Sequence, residues 1–276
     1  MRYSAAKRFD ITKVRKDATS DEFLSTIAKA IPAEDRRGGI LLVGGVSPRD
    51  VVVRHAQAEL RLDRLPSYWS HAALILDWKD GAKLDAIVGA EVTLDPPEPA
   101  KQVPERNGVT LFRLARYSDR DRYPNLAFGT ICNAKKGLKD KIEGAALNPN
   151  RDRLRYRFWE WLGAWASYTY APAATANPIA TGIPLAGAAF CEYAYEVAGL
   201  DLTPGATAPN ACPELLWTTL LYWYDRIGPQ VGRIAAWSLV RDDESPTRTP
   251  LSITLDDEFR EATQQPPAGP KKPAKK

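Results

Sequence analysis

Two apolar segments joined by a short turn constrain the fold of this 276-residue chain more than any other feature. Residues 71–78 and 84–94 each have the length and apolar content of a strand, and the turn at 79–83 contains Asp80 followed by Gly81. An Asp-Gly pair between two such segments favours a β-hairpin. We therefore predict that the two segments pair as neighbouring antiparallel strands.

Hydrophobic periodicity and the positions of glycine and proline predict the remaining elements. Residues 95–99 contain three prolines, which cannot donate hydrogen bonds to a neighbouring strand, so this segment is predicted to be a loop. Beyond residue 120 the pattern becomes helical. We predict further strands over residues 38–45, 109–114 and 234–240, and helices over residues 20–31, 50–62, 123–134, 151–168, 189–200 and from 213 onward.

Length and composition are those of a globular protein that can bury one substantial core or two small ones, and 44% of the residues are hydrophobic. The chain shows no internal repeat and no clear linker within residues 36–240. We therefore assign residues 1–35 to an N-terminal extension and residues 36–262 to one folded domain. Residues 263–276 are dominated by Pro, Ala, Gly and Lys, which cannot build a core, so we expect this tail to be disordered.

Charge and cysteine content argue against several classes of protein. The net charge is +4 and part of it lies in residues 271–276, so the body is close to neutral and gives no indication of nucleic-acid binding. Three cysteines do not form a disulfide framework. Neither a zinc-ligand spacing nor a phosphate-binding glycine loop is present in the sequence, so we expect no metal and no cofactor.

The sequence contains no segment typical of membrane insertion or of standard secretion. No apolar run approaches the roughly 18 residues of a transmembrane helix. Residues 1–10 are basic but lack the apolar stretch of a signal peptide. We expect a protein that is cytoplasmic as synthesised, and any export would use a non-standard route.

Cys191 is the candidate nucleophile. It is predicted to lie in the first turn of the helix over 189–200, where the positive end of the helix dipole favours the thiolate. The alternative is a small buried hydrophobe, which is the usual role of a free cysteine. Cys132, inside a predicted helix, and Cys212, near another helix start, are the competing thiols.

His71 is the candidate general base and acid. It begins the predicted strand 71–78, so its side chain can emerge at the edge of the sheet and exchange a proton with a nearby thiol. The other histidine of the chain, His55, lies in an arginine-rich segment and is more typical of a solvated surface residue. A lone histidine is more often structural than catalytic, so this assignment depends on what lies beside it.

The third group of such a site should orient the imidazole from the neighbouring strand. Glu91 is an acid in the otherwise apolar segment 84–94, which the hairpin brings alongside His71. The ordinary alternative is a surface-facing glutamate. Asp85 and Asp77 are the candidates if the strand register differs.

Taken in order, these segments resemble the circularly permuted branch of the NlpC-type papain-fold cysteine hydrolases. That branch includes YiiX-like cysteine peptidases and the relatives of lecithin retinol acyltransferase. The resemblance spans about residues 38–220. It is carried by five short motifs, GGILLV at 38–43, YWSHAA at 68–73, VGAE at 88–91, FCEY at 190–193 and ACPELL at 211–216.

The resemblance implies an α+β fold with a permuted papain-like core, in which an antiparallel sheet packs on the nucleophile helix. It implies Cys191 as nucleophile, His71 as general base and acid, and Glu91 as orienting group, with the Cys191 N–H in the oxyanion hole. It also identifies residues 115–188 as a helical insertion that shapes the substrate groove. Two departures are Glu192, where the family has serine, and Glu91, which is offset by one residue from the family motif.

The His–Glu–Cys order and the resemblance predict a thiol hydrolase that cleaves an amide bond through an acyl-enzyme intermediate. The expected substrate is a peptide or a peptidoglycan cross-link, and the second would suit an antibacterial effector with a secretion-machine or immunity partner. Aromatic residues within 156–168 and 217–224 suggest an alternative, a lipid acyltransferase or thioesterase. Glu192 suggests another, a non-catalytic binding module on the same fold.

Overall fold

A seven-stranded sheet lies at the centre of the described part of the chain. The computed structural model describes residues 12–13, 19–93, 108–131, 137–148, 158–170, 176, 178, 185–226 and 232–238. The strands are β1 (Thr12–Lys13), β2 (Ile40–Gly44), β3 (His71–Asp77), β4 (Val88–Thr93), β5 (Gly108–Arg113), β6 (Asn125–Ile131) and β7 (Gly232–Ser238). All five segments that the sequence predicts as strands are therefore confirmed.

The strand order is β1-β7-β6-β2-β3-β4-β5, and every neighbouring pair is antiparallel except β1 and β7. The predicted hairpin is formed by β3 and β4, which pair Leu74 with Ala90. A register shift between Ile75 and Asp77 separates this pairing from the turn. A mainly antiparallel sheet accompanied by helices confirms the predicted α+β class.

The helices begin where local capping allows. The first helix starts after Thr19, which forms a capping box with Glu22, and the third starts after Ser47, which accepts a hydrogen bond from the Asp50 N–H. None of the described helices is long and apolar enough to cross a membrane. The α-helices are α1 (Ser20–Ala30), α2 (Ala33–Arg36), α3 (Pro48–Ala56), α4 (Leu138–Ala146), α5 (Phe158–Tyr170), α6 (Ala186–Val197) and α7 (Pro213–Arg226), with 3-10 helices at Ala58–Leu60, Leu114–Tyr117 and Ala208–Asn210.

The predicted helix over 123–134 is wrong, because residues 125–131 form β6. All seven residues of β6 are buried, since the strand lies between β2 and β7 with both of its faces covered. Such a strand has a continuous apolar run rather than alternation, which periodicity cannot distinguish from a buried helix. Gly129 fits there because a Cβ would lie 2.6 Å from Leu220 Cδ1 of α7.

Two features of the structure bear on the predicted domain boundaries. The predicted N-terminal extension 1–35 includes α1, which buries Phe23 in the core. The predicted helical insertion 115–188 includes β6, which is a central strand of the sheet. The chain divides into the units Met1–Val240 and Arg241–Lys276, and the tail predicted to be disordered lies outside the described residues.

The sheet separates two hydrophobic clusters, to which β2, β3 and β6 contribute alternate side chains. The cluster that we call the α6 face packs α6 and α7 against Ala72, Leu74, Ala90 and Val92. The cluster that we call the α1 face packs α1 against Leu41, Val43, Ala73, Ile75 and Phe128.

Candidate functional site

A cleft that is partly open to solvent lies where β3 begins. Its lining comes from α3, β3, β4, the 3-10 helix Leu114–Tyr117, α5 and the first turn of α6. His71 and Glu91 line it from the sheet, and Trp161 lines it from α5. The cleft therefore contains two of the three residues that the sequence singles out.

His71 and Glu91 are in direct contact. His71 Nε2 lies 2.8 Å from Glu91 Oε2, and the exposed fractions of the two side chains are 20% and 2%. The pairing of Leu74 with Ala90 makes His71 and Glu91 diagonal neighbours on adjacent strands, a spacing that long side chains can bridge. The contact therefore follows from the hairpin that the sequence predicts.

Two residues of the 3-10 helix that follows β5 also contact the Glu91 carboxylate. Tyr117 Oη donates a hydrogen bond to Glu91 Oε2, and Arg116 Nη1 lies 2.5 Å from Oε1. Burial opposes ionisation of Glu91, but the hydrogen bonds of His71 and Tyr117 and the positive charges of His71 and Arg116 outweigh it and lower the pKa of Glu91. Burial and the charge of Glu91 raise the pKa of Tyr117 well above its ordinary value, so Tyr117 remains a donor.

Sequence reasoning missed Arg116 and Tyr117. The signal that could have found them is their position directly after β5, which is the neighbour of the strand that carries Glu91. The alternatives Asp77 and Asp85 do not line the cleft. Asp77 ends β3 at the opposite end from His71, and Asp85 is exposed.

Cys191 lies deeper than the sequence predicts. It is the sixth residue of α6 rather than part of the first turn, because the small residues from Ala186 to Ala189 extend the helix upstream. Its exposed fraction is 0%, and burial, followed by the charges of Glu192 and Glu91, raises its pKa well above the ordinary value. The helix dipole acts within the first turn, so it does not offset this rise.

Cys191 packs in the α6 face, among the buried residues of α6 and α7. Cys191 is not among the described residues that line the cleft. Its backbone N–H, at the sixth position, is used inside the helix, so in this arrangement it is not the oxyanion donor that the resemblance implies.

The residue of α6 that faces His71 is Gly187. A Cβ at position 187 would lie 2.7 Å from His71 Nδ1 and 2.3 Å from the carbonyl oxygen of Ala72. Gly187 and Cys191 are four residues apart, so they share one side of the helix and are separated by about 6 Å along its axis. The His71 imidazole therefore lies against the first turn of α6, one turn before Cys191.

Cys212 caps the N-terminus of α7. It is fully buried at the start of α7, and burial raises its pKa to about 12 although the N–H groups of Leu215 and Glu214 hydrogen-bond its sulfur. These contacts are those of a helix N-cap. The remaining cysteine, Cys132, lies outside the described residues.

Glu192 fastens the loop that follows α6. Its carboxylate accepts hydrogen bonds from Leu202 N–H at 3.0 Å and from Thr203 Oγ1 at 2.9 Å. Burial raises the pKa of Glu192 to about 7. Glu192 therefore anchors this loop, and its charge also disfavours the Cys191 thiolate.

The site is thus defined by the geometry around His71 and Glu91. The described residues include no group of three or more His, Cys, Asp and Glu side chains that could hold a metal ion. The second histidine, His55, lies on α3 and is not among the described residues that line the cleft.

The chain has no significant match to a protein-family model, to a curated protein or to a solved structure.

Proposed function

We propose that the chain is a cysteine hydrolase that cleaves an amide bond. His71 acts as general base and acid, Glu91 orients it, and Cys191 is the nucleophile. The observation that supports this proposal is the 2.8 Å contact of His71 Nε2 with Glu91 in a cleft that the Cys191 helix lines. The permuted papain-like architecture belongs to the same proposal, because base, orienting acid and thiol follow in the order that the resemblance implies.

The Glu91 carboxylate favours the imidazole tautomer with its proton on Nε2. Nδ1 then carries the lone pair, and it is the nitrogen that faces α6. In the proposed reaction the Cys191 proton passes to Nδ1 while Sγ attacks the amide carbon. The leaving amine takes that proton from His71, and water activated by His71 then hydrolyses the thioester and restores the thiol.

The reaction requires Cys191 to reach the cleft, so the proposal includes opening of the first turn of α6. Two features weaken this turn. Leu185 at the N-cap has no side-chain acceptor, which costs about 1 kcal/mol relative to Ser or Asp. Gly187 costs up to about 1 kcal/mol relative to Ala. Opening would place Cys191 at the start of the helix, where its N–H is uncommitted and the dipole favours the thiolate.

The test is the rate at which iodoacetamide labels each cysteine, read by peptide mass spectrometry across pH. We expect Cys191 to react faster than Cys212, which the start of α7 holds in place, and to slow in His71→Ala. Turnover of peptide and peptidoglycan amides should be lost in Cys191→Ala and retained in Cys212→Ser. Retained turnover in Cys191→Ala would overturn the assignment of the nucleophile.

A second candidate function is a binding module without catalysis. The observation that favours it is the complete burial of Cys191, which raises the pKa of its thiol. In this candidate function the cleft binds a ligand without cleaving it, and His71 and Glu91 contact that ligand. Labelling of Cys191 as slow as that of Cys212, together with no turnover by the wild type, would favour this candidate.

The lipid alternative receives less support from α5. Trp161 and Trp165 are 7% and 0% exposed, so these rings pack in the interior instead of forming an exposed apolar surface. We therefore propose peptides and peptidoglycan cross-links as the first substrates to screen. The role of a delivered antibacterial effector, with its secretion and immunity partners, depends on activity against peptidoglycan.

A further inference from the structure

The two oxygens of the Glu91 carboxylate have different partners. Oε2 accepts a hydrogen bond from Tyr117 Oη and lies 2.8 Å from His71 Nε2, whereas Oε1 lies 2.5 Å from Arg116 Nη1. A guanidinium can bind both oxygens of one carboxylate through two parallel hydrogen bonds. Arg116 therefore competes with His71 for the orientation of the Glu91 carboxylate.

Tyr117 is placed to decide this competition. Its ring packs edge-on against Phe112 and Tyr123, with centroid separations of 5.4 Å and 4.9 Å, and Tyr117 is only 4% exposed. This packing fixes the position of the phenol oxygen, and a phenol can only donate to an ionised carboxylate. Because Tyr117 donates to Oε2, it holds the same carboxylate oxygen that contacts His71.

We propose that Tyr117 is a positioning residue, which keeps Oε2 of Glu91 on His71 Nε2 and prevents the carboxylate from turning fully toward Arg116. The orientation of the carboxylate is a property of the fold and does not depend on any reaction. Its consequence for turnover rests on the proposed function, in which Glu91 holds the imidazole tautomer and stabilises the imidazolium. In that reaction Tyr117 exchanges no proton with the substrate and acts only through Glu91.

The first test replaces the phenol while retaining its ring. Tyr117→Phe removes the hydrogen bond to Glu91 and keeps the packing. The readout is the His71 Nε2 proton in NMR of histidine-labelled protein, where the His71→Ala spectrum distinguishes the two imidazoles of the chain. In the wild type this proton should exchange slowly with water, because Glu91 accepts it. Its exchange should accelerate about tenfold or more in Tyr117→Phe, the loss expected from one hydrogen bond to a charged group.

Tyr123→Phe is the matched control for this measurement. It removes a hydroxyl from the neighbouring ring, and Tyr123 is not hydrogen-bonded to Glu91 in the described part of the chain. The His71 proton should therefore exchange at the wild-type rate in this variant. A wild-type exchange rate in folded Tyr117→Phe, or equal acceleration in the two variants, would refute the proposal.

Removal of the competing guanidinium tests the same idea without relying on Tyr117→Phe alone. Arg116→Gln added to Tyr117→Phe should restore most of the slow exchange, because the carboxylate then has no guanidinium to turn toward. Arg116→Gln by itself should leave the His71 proton at least as protected as in the wild type. Faster exchange in that single variant would show that Arg116 rather than Tyr117 orients Glu91, and would overturn the proposal.

Turnover separates this inference from the proposed function. Tyr117→Phe should lower kcat roughly 10- to 100-fold and leave KM unchanged, since the lost interaction supports the imidazolium and not substrate binding. Accelerated proton exchange in Tyr117→Phe with no turnover by the wild type would refute the hydrolase and leave the positioning role standing. Turnover by the wild type with an unchanged kcat in Tyr117→Phe would do the reverse.

Discussion

Glu91 and Glu192 are two buried glutamates, each 2% exposed, that differ in ionisation. The pKa of Glu91 is lowered, whereas burial raises the pKa of Glu192 to about 7. Glu91 is bonded to His71, Tyr117 and the guanidinium of Arg116, while the hydrogen bonds to Glu192 come from a backbone N–H and a hydroxyl. The partners' charge rather than the depth of burial therefore decides which carboxylate is ionised.

This difference assigns the two acids to separate tasks. An ionised Glu91 can hold an imidazole tautomer and stabilise an imidazolium, which the proposed chemistry needs. Glu192, whose pKa lies near neutral pH, is suited to fastening the loop at Leu202. The predictions below test this contrast, from the largest expected effect to the smallest.

The largest effect is expected from Glu91→Gln. The amide is isosteric, but it cannot stabilise the imidazolium of His71, so kcat/KM should fall by roughly 10²–10⁴-fold. Glu192→Gln, the same chemical change one residue from the proposed nucleophile Cys191, is the matched control, and its kcat/KM should stay within a fewfold of the wild-type value. An equal fall of kcat/KM in the two variants would contradict the assignment of different roles to Glu91 and Glu192.

Gly187→Ala should displace α6 from β3, the strand that carries His71. The added Cβ meets the Ala72 carbonyl oxygen at 2.3 Å, so the helix must move, and the free energy of unfolding should fall by about 1–3 kcal/mol. Gly144→Ala in α4, where a Cβ meets nothing within 4 Å, should instead be stabilising by up to about 1 kcal/mol. Urea denaturation measures both, and a neutral Gly187→Ala would contradict the close approach.

Glu192 should make stability depend on pH in the sense opposite to Glu91. Its raised pKa means that its contribution is fully present below about pH 4.5 and is lost as the pH rises through about 7. The lowered pKa of Glu91 gives a contribution that is present above about pH 4.5 and lost at lower pH. Denaturation of wild type and Glu192→Gln between pH 4.5 and 8 should therefore show a shallower decline in the variant.

The smallest effect concerns the thiol. The charge of Glu192 contributes to the raised pKa of Cys191, so Glu192→Gln should increase the labelling rate of Cys191 a fewfold at pH 8. Cys212 is the internal control in the same digest, because its pKa is raised chiefly by burial. Parallel acceleration of both cysteines would indicate general loosening of the fold instead.

The contact of His71 with Glu91 could be predicted because it depends on neighbours in sequence. A short turn fixes which strands pair, and alternation fixes which side chains share a face. The position of Cys191 could not be predicted in the same way. It depends on where α6 begins, and the small residues from Ala186 to Ala189 carry no cap that marks the boundary.

The sequence by itself determined the α+β class, the β3–β4 hairpin and the residues His71 and Glu91 as a pair, since turn chemistry and hydrophobic pattern act over short distances. Only the tertiary structure decided that residues 125–131 form a central strand, because a strand covered on both faces loses its alternation. It also decided the burial of Cys191 and the contacts of Arg116 with Glu91. Those depend on packing between elements that are distant in sequence, which no local pattern encodes.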